Sequence, residues 1–144
     1  MVTAGVFWDT NLFIYLIEEK PADLSKLVVQ GRERMIARGD QLVTSSLTLG
    51  EVLVQPLRAN RSDLAEEYEQ HITSGATVVP FDSGAARKFA QIRATYPSVR
   101  PPDAVQLACA AQHGVATFVT NDGRLGRVKV GGVGSVIPLR QWAA

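Results

Sequence analysis

Four carboxylates at distant points of the sequence could together carry metal-dependent chemistry. Asp9 and Asp122 each follow an apolar segment, and Glu51 and Asp103 each stand near the start of an amphipathic segment. Carboxylates brought within ~4 Å of each other repel by roughly 4 kcal/mol per pair at an effective dielectric near 20. A hard divalent cation such as Mg²⁺ or Mn²⁺ removes that repulsion, and it can activate water and stabilise charge on a phosphoryl group. The four acids are therefore candidate metal ligands and catalytic groups.

Each acid also has a purely structural interpretation. Asp9 could cap a helix N-terminus, and Glu51 lies three residues after Thr48, which is the spacing of a capping box. Asp103 could complement the dipole of the helix that it opens, and Asp122 suits a plain turn. A shared role is favoured only if the fold brings the four residues to one place.

The predicted strands and helices decide whether the acids can meet. Short β-branched and aromatic runs predict strands, and apolar residues at helical spacing predict helices. The predicted strands cover residues 2–8, 42–44, 77–81, 116–119 and 136–139. The predicted helices cover a segment that Pro21 ends, then residues 22–38, a segment from 48 that Pro56 kinks or ends, and residues 62–73, 83–95 and 103–113.

This alternation of strands and helices predicts an α/β fold with a parallel sheet covered on both faces. Ligands of such sheets bind beyond the carboxyl ends of the strands, where the strand order reverses. Asp9 and Asp122 directly follow predicted strands, and Glu51 and Asp103 lie where helices start. All four acids can therefore converge on one edge of the sheet.

Length and composition indicate an ordinary globular protein. The 144 residues match the usual length of one domain, which we expect to extend from residue 1 to residue 144. The single cysteine, Cys109, lies in an apolar run and is expected in the core. We recognise neither a secretory signal nor a membrane-spanning segment, so we predict a soluble cytoplasmic protein without a membrane partner.

Four short motifs, in this order, resemble those of the PIN-domain family. They are Asp9-Thr10-Asn11, Thr48-x-x-Glu51-Val52-Leu53, Asp103-Ala104-Val105-Gln106-Leu107-Ala108-Cys109-Ala110 and Val119-Thr120-Asn121-Asp122. The resemblance extends from Val2 to about Leu139. In length and layout, the chain is similar to the VapC-type toxins of that family, the ribonuclease halves of bacterial toxin–antitoxin pairs.

The resemblance implies a fold, an activity and partners. The implied fold is a three-layer α/β/α sandwich around a mostly parallel sheet of four to five strands. The implied activity is that of an endoribonuclease in which metal-activated water hydrolyses RNA. Asp9, Glu51, Asp103 and Asp122 would hold Mg²⁺ or Mn²⁺, and roles in supporting these ligands or orienting substrate would fall to Thr10, Asn11, Thr120 and Asn121. The implied partners are RNA, a separate antitoxin chain and a second copy in a homodimer.

The chain departs from the family pattern after the fourth acid. Many members carry a further acidic residue there, whereas this chain continues Gly123-Arg124-Leu125-Gly126. The number of metal ions, one or two, therefore stays open.

Two other functions stay open as well. One is a binding module of the same fold whose acids hold a basic partner and cut nothing. The other is an aspartyl-phosphate phosphatase of the haloacid dehalogenase type, which also begins with a strand followed by Asp. That class needs a second acid where this chain has Asn11.

Charge is compatible with RNA binding without proving it. The formal net charge is +1, and neutralising the four candidate ligands would leave 15 basic residues against ten acidic ones. Scattered basic residues are more often simply solvated than part of a binding site. Those that could line an RNA path are Arg87, Lys88, Arg93, Arg100, Arg124, Arg127 and Lys129.

Overall fold

The structure, a computed structural model, describes residues 5–144. It contains five strands in that range, close to the predicted positions. They are β1 (Gly5–Trp8), β2 (Gln41–Ser45), β3 (Thr77–Val79), β4 (Val115–Thr120) and β5 (Val133–Pro138). The predicted start of the first strand, residues 2–4, lies outside the described residues.

The helices follow the apolar periodicity of the sequence. They are α1 (Thr10–Glu18), α2 (Ala22–Arg38), α3 (Ser46–Arg58), α4 (Ser62–Gly75), α5 (Ser83–Thr95), α6 (Pro101–His113) and α7 (Leu139–Trp142), with a 3-10 helix at Gly123–Arg127. Helix α2 has the predicted bounds. It ends because Gly39 adopts a left-handed conformation with φ of 73°, which glycine enters without steric cost, and its N–H bonds the carbonyls of Met35 and Ile36.

The sheet is parallel throughout, with the strand order β3-β2-β1-β4-β5. Strands β2 and β3 lie on one side of β1, and β4 and β5 lie on the other. The order therefore reverses between β1 and β4, whose ends are paired through Trp8 and Val119. At this point a parallel sheet opens a crevice beyond its carboxyl edge. Asp9 stands directly there, and its N–H donates to the Val119 carbonyl at 3.3 Å.

Two hydrophobic layers sandwich the sheet. Phe7 faces α5 and α6, where its ring stacks on Phe118 with 4.9 Å between centroids. Val6 and Trp8, on the opposite face, pack against α1 to α4 and α7. Burying one such side chain contributes about 1.5–3 kcal/mol, so the two layers fix the position of β1. The α/β/α sandwich with a five-stranded central sheet is thereby confirmed.

Several local predictions need correction. Helix α3 begins at Ser46, and its cap is Ser45, whose hydroxyl accepts from the Thr48 N–H at 3.4 Å. Because the cap lies three residues earlier than predicted, the capping-box interpretation of Glu51 is wrong. Pro56 was predicted to kink or end this helix, but it lies inside α3, which continues to Arg58.

Other differences lie away from the sheet. Within α5, Ala85 is buried, whereas Ala90 is exposed although it is apolar. The 3-10 helix and the short α7 were not predicted, and β5 begins before the predicted residue 136. Cys109 is buried as expected. Within residues 5–144, every helix is too short or too polar to cross a bilayer.

Candidate active site

Three of the four candidate acids line one cleft at the carboxyl edge of the sheet. Asp9, Glu51 and Asp103 border an open cleft of about 510 Å³, which we call the acidic cleft. Asp9 comes from the end of β1, Glu51 from the second turn of α3, and Asp103 from the first turn of α6. Thr10, Asn11 and Gln106 also line it.

Asp9 is the most perturbed of these acids. It occupies the N-cap position of α1, but its side chain makes no capping hydrogen bond. Its Oδ1 is shielded from solvent and has no hydrogen-bond partner. Burial raises the pKa of Asp9 from 3.8 to about 6, although the Thr120 hydroxyl and nearby backbone N–H groups act in the opposite direction. Asp9 therefore lines the cleft and also holds a buried acceptor without a partner, which a capping role does not explain.

Glu51 is connected to a hydrogen-bond network beneath the cleft. The Thr10 hydroxyl donates to Glu51 Oε1 at 2.5 Å and in turn accepts from the Gln106 amide at 3.1 Å. The same amide nitrogen donates to Thr48 Oγ1 at 2.9 Å, and Ser45 donates to the amide oxygen of Gln106. Uncharged side chains from β2, α1, α3 and α6 thus support the carboxylate.

Gln106 is a residue that the sequence did not single out. It is only 4% exposed, and both ends of its amide are engaged. Its position three residues after Asp103 places it one helical turn inward on the same face of α6. Two features of the sequence could have identified Gln106. It lies three residues after a candidate acid, and it is the polar residue within the apolar stretch from Ala104 to Ala111.

Asp103 lies between the acidic cleft and a second cavity of about 390 Å³. Burial raises the pKa of Asp103, Arg100 opposes that effect, and the nearby charge of Asp122 adds to it. Arg100 Nε lies 3.7 Å from Asp103 Oδ2. We call the second cavity the arginine cavity, because it is lined by Arg100, Arg124 and Arg127.

Asp122 lines the arginine cavity rather than the acidic cleft. Arg124 donates to both of its oxygens, with Nε–Oδ1 at 2.9 Å and Nη2–Oδ2 at 2.8 Å. These hydrogen bonds lower the pKa of Asp122. Asp122 Oδ1 also accepts from the Arg124 N–H at 3.0 Å and so caps the 3-10 helix. Asp122 therefore has the structural role of a turn residue, in a cavity that it shares with Asp103.

The remaining candidates also have defined surroundings. Thr120 is buried, and its hydroxyl accepts from the Asp122 N–H at 3.0 Å. The Asn121 amide donates to the Tyr15 hydroxyl at 2.9 Å. Asn11 is exposed at the rim of the acidic cleft. Thr120 thus connects the two neighbouring strand ends that carry Asp9 and Asp122.

The donor set suits a hard cation, although it is not assembled around one point. Among residues 5–144, no three acidic, histidine or cysteine side chains are gathered closely enough to hold a metal ion. Glu51 is instead bonded to Thr10, and Asp122 to Arg124. The available ligands are all oxygens, which Mg²⁺ and Mn²⁺ prefer, and the unpartnered Oδ1 of Asp9 is an acceptor that a cation would satisfy. The residues present therefore fit such an ion.

Comparison with protein families identifies a match over most of the chain. The model of the PIN domain matches residues 6–131. Among curated proteins, no sequence matches the chain.

Several solved structures with a similar fold belong to toxin–antitoxin systems. VapBC2 from Rickettsia felis, bound to a DNA fragment from their promoter, is 15% identical with a TM-score of 0.73, over 93% of this chain and 98% of that one. DNA-bound VapBC from Salmonella typhimurium is 24% identical with a TM-score of 0.71, over 96% and 99%. VapBC-5 from Mycobacterium tuberculosis, a member of the VapBC family of toxin-antitoxin systems, is 23% identical with a TM-score of 0.61, over 94% and 98%. At these identities the likeness concerns the fold.

Proposed function

The chain belongs to the PIN domain family, and from that premise we propose that it is a Mg²⁺- or Mn²⁺-dependent endoribonuclease of the VapC type, the toxin of a toxin–antitoxin pair. One observation carries this proposal. Asp9 stands at the point where strand order reverses, with an unpartnered buried oxygen, beside Glu51 and Asp103 in an open cleft. An open cleft lined by carboxylates can accept an extended RNA strand together with a cation.

We assign roles to the acids as follows. Asp9, Glu51 and Asp103 would supply carboxylate oxygens from the acidic cleft, and Asp122 would join them by exchanging Arg124 for the cation. A bound Mg²⁺ or Mn²⁺ would activate a water and stabilise charge on the scissile phosphate. Because the pKa of Asp9 is about 6, this carboxylate is mainly ionised at neutral pH and ready to bind.

The polar neighbours would orient these groups and the substrate. Thr10 fixes Glu51 through its hydroxyl, and Gln106 fixes Thr10. Thr120 supports Asp9 from the neighbouring strand. Asn11, exposed at the rim, and Asn121, bonded to Tyr15, present amide groups that can hydrogen-bond RNA.

The proposed partners are RNA, a separate antitoxin chain and a second copy of this chain. The antitoxin is supported by the similar structures, since those proteins are toxin–antitoxin complexes or members of such systems. The homodimer rests on the family resemblance. Family membership also argues against a phosphatase of the haloacid dehalogenase type, because the matched family spans residues 6–131.

A non-catalytic binding module is the second candidate. It is favoured by the ion pair between Asp122 and Arg124 and by the separation of the acids as they stand. In that case the chain would bind RNA or protein without cutting RNA. Metal-dependent cleavage decides between the two.

The test is incubation of the purified, partner-free chain with total cellular RNA, with Mn²⁺ or with EDTA. Discrete fragments should form only with Mn²⁺. Asp9→Asn should lower the rate at least about 1,000-fold, because a metal ion contributes several kcal/mol of transition-state stabilisation. Asp23→Asn is a matched control, since Asp23 is exposed on α2 and lines no part of the cleft.

Two results would contradict the proposal. One is cleavage by Asp9→Asn at the wild-type rate. The other is intact RNA in every lane although Mn²⁺ binds the wild-type chain in calorimetry, which would favour the binding module.

A further inference from the structure

The arginine cavity is a preformed pocket rather than a fortuitous gap. One wall is the segment after α5, where Arg93 donates to the carbonyls of Pro97 at 2.8 Å and Val99 at 2.5 Å. The opposite wall is the 3-10 helix, closed at its start by the Asp122 side chain. The two walls are joined because the Tyr96 hydroxyl accepts from the Lys129 N–H at 3.1 Å.

Its lining combines positive charge with an apolar floor. Three arginines, Arg100, Arg124 and Arg127, face two acids, Asp103 and Asp122. Arg100 and Arg124 are paired with those acids, whereas Arg127 lies within 4.0 Å of no carboxylate among the described residues. The cavity therefore keeps a net positive charge, on a chain whose total is only +1.

The apolar part of the lining suits a nucleoside. Val99, Leu125 and Val128 are buried residues of the lining, and Tyr96 adds an aromatic ring to it. Base stacking on an aromatic ring contributes about 1–3 kcal/mol per base and is tolerant of sequence. A cavity of about 390 Å³ falls in the range of small-ligand pockets and is too small for a duplex.

We propose that the arginine cavity binds one nucleotide of a single-stranded RNA, with Arg127 and Arg100 on its phosphate and Tyr96 beside its base. The placement rests on the proposed function, because Asp103 borders both the arginine cavity and the acidic cleft. The bound nucleotide is then the neighbour of the scissile phosphate. The arginine cavity thus orients the RNA strand, and cleavage takes place in the acidic cleft.

The experiment measures binding without cleavage. Fluorescence anisotropy of a short labelled single-stranded RNA is recorded with the full-length chain in EDTA over a series of salt concentrations. Arg127→Ala should weaken binding about tenfold, as expected for one charge-assisted hydrogen bond. It should also reduce the slope of log affinity against log salt by about 0.7, the value for one phosphate contact with a single strand.

The matched control is Arg32→Ala. Arg32 is exposed on α2, against the opposite face of the sheet, and the variant removes the same charge. It should leave both the affinity and the salt slope close to those of the wild type. Tyr96→Leu should weaken binding without changing the salt slope, with its melting temperature recorded to verify folding.

The outcomes separate this inference from the proposed function. If Arg127→Ala binds RNA like Arg32→Ala, or if the wild-type chain binds no RNA, the nucleotide site is refuted even where Mn²⁺-dependent cleavage is observed. If binding depends on Arg127 but Mn²⁺ induces no cleavage, the nuclease fails and the nucleotide site stands.

Discussion

The two sides of Asp103 are held by different kinds of interaction. In the acidic cleft, Glu51 depends on a hydrogen-bond network of Thr10, Thr48 and Gln106, of which the last two are 0% and 4% exposed. In the arginine cavity, Asp122 depends on Arg124, whose side chain is 73% exposed. Buried neutral bonds are costly to leave unmade, whereas exposed ion pairs are weak and screened by salt.

This difference separates a permanent arrangement from an exchangeable one. On the cleft side, Thr48 and Gln106 keep one geometry at any salt concentration, because both are buried and their hydrogen bonds join uncharged groups. On the cavity side, the exposed pair between Asp122 and Arg124 can separate at little cost. The nuclease that we propose would need both behaviours, because it would have to hold its acids in place and also release its polyanionic substrate.

The largest effect should come from breaking the buried network with Gln106→Met. This substitution keeps the length of the side chain, but it removes the acceptor of the Ser45 hydroxyl and the amide that donates to the hydroxyls of Thr10 and Thr48. Unsatisfied buried groups cost ~1–3 kcal/mol each, so the free energy of unfolding should fall by about 4 kcal/mol. Urea denaturation measures it, and Gln112→Met, exposed on the same helix, should change little. An equal loss in both variants would mean that the network contributes no more than a surface amide.

The next effect concerns the buried charge of Asp9. A rise in its pKa from 3.8 to about 6 means that the ionised form destabilises the folded state by on the order of 3 kcal/mol above pH 6. Protonation removes that cost as the pH falls from about 6 towards 3.8. Asp9→Asn should therefore be more stable than the wild type at pH 7, and its advantage should shrink over that interval. Melting temperatures from pH 7 to pH 4 test this, and a constant difference would contradict it.

The smallest effect should come from Arg124→Ala. Removing an exposed partner should lower the melting temperature only slightly, and the loss should disappear in about 1 M salt, where the Debye length is ~3 Å. The loss in Gln106→Met should persist at the same salt concentration. Asp122 should titrate at a higher pH in Arg124→Ala than in the wild type, which carboxyl NMR measures. A salt-independent loss in Arg124→Ala would erase the contrast between the two sides.

Much of the fold could be predicted because it depends on local pattern. Helix α2 starts and ends where its apolar stripe and Gly39 indicate, and β4 is recognisable as a β-branched and aromatic run. The cap of α3 was misplaced because Ser45 and Thr48 are both good cap residues, and only the length of β2 decides between them. The 3-10 helix and α7 are too short to show periodicity.

The site was predictable only in part. The acids could be recognised as candidates because each follows a strand or lies near the start of a helix. Their hydrogen-bond partners in the fold could not be predicted. Gln106 is bonded to Thr10 and Thr48, which are 96 and 58 residues away in sequence, and no local pattern reveals such a contact. Arg124 lies two residues after Asp122, but the sequence showed it only as part of a segment that departs from the family pattern, not as the partner of Asp122.

The central position of β1 also bears on the order of events during synthesis. The ribosome makes Val6, Phe7 and Trp8 more than a hundred residues before their partners Thr117, Phe118 and Val119. Until β4 emerges, Asp9 lacks the neighbouring strand end that carries Thr120 and Asp122. The nascent chain therefore cannot complete its candidate site until the residues from Val115 to Asp122 have emerged and paired with β1.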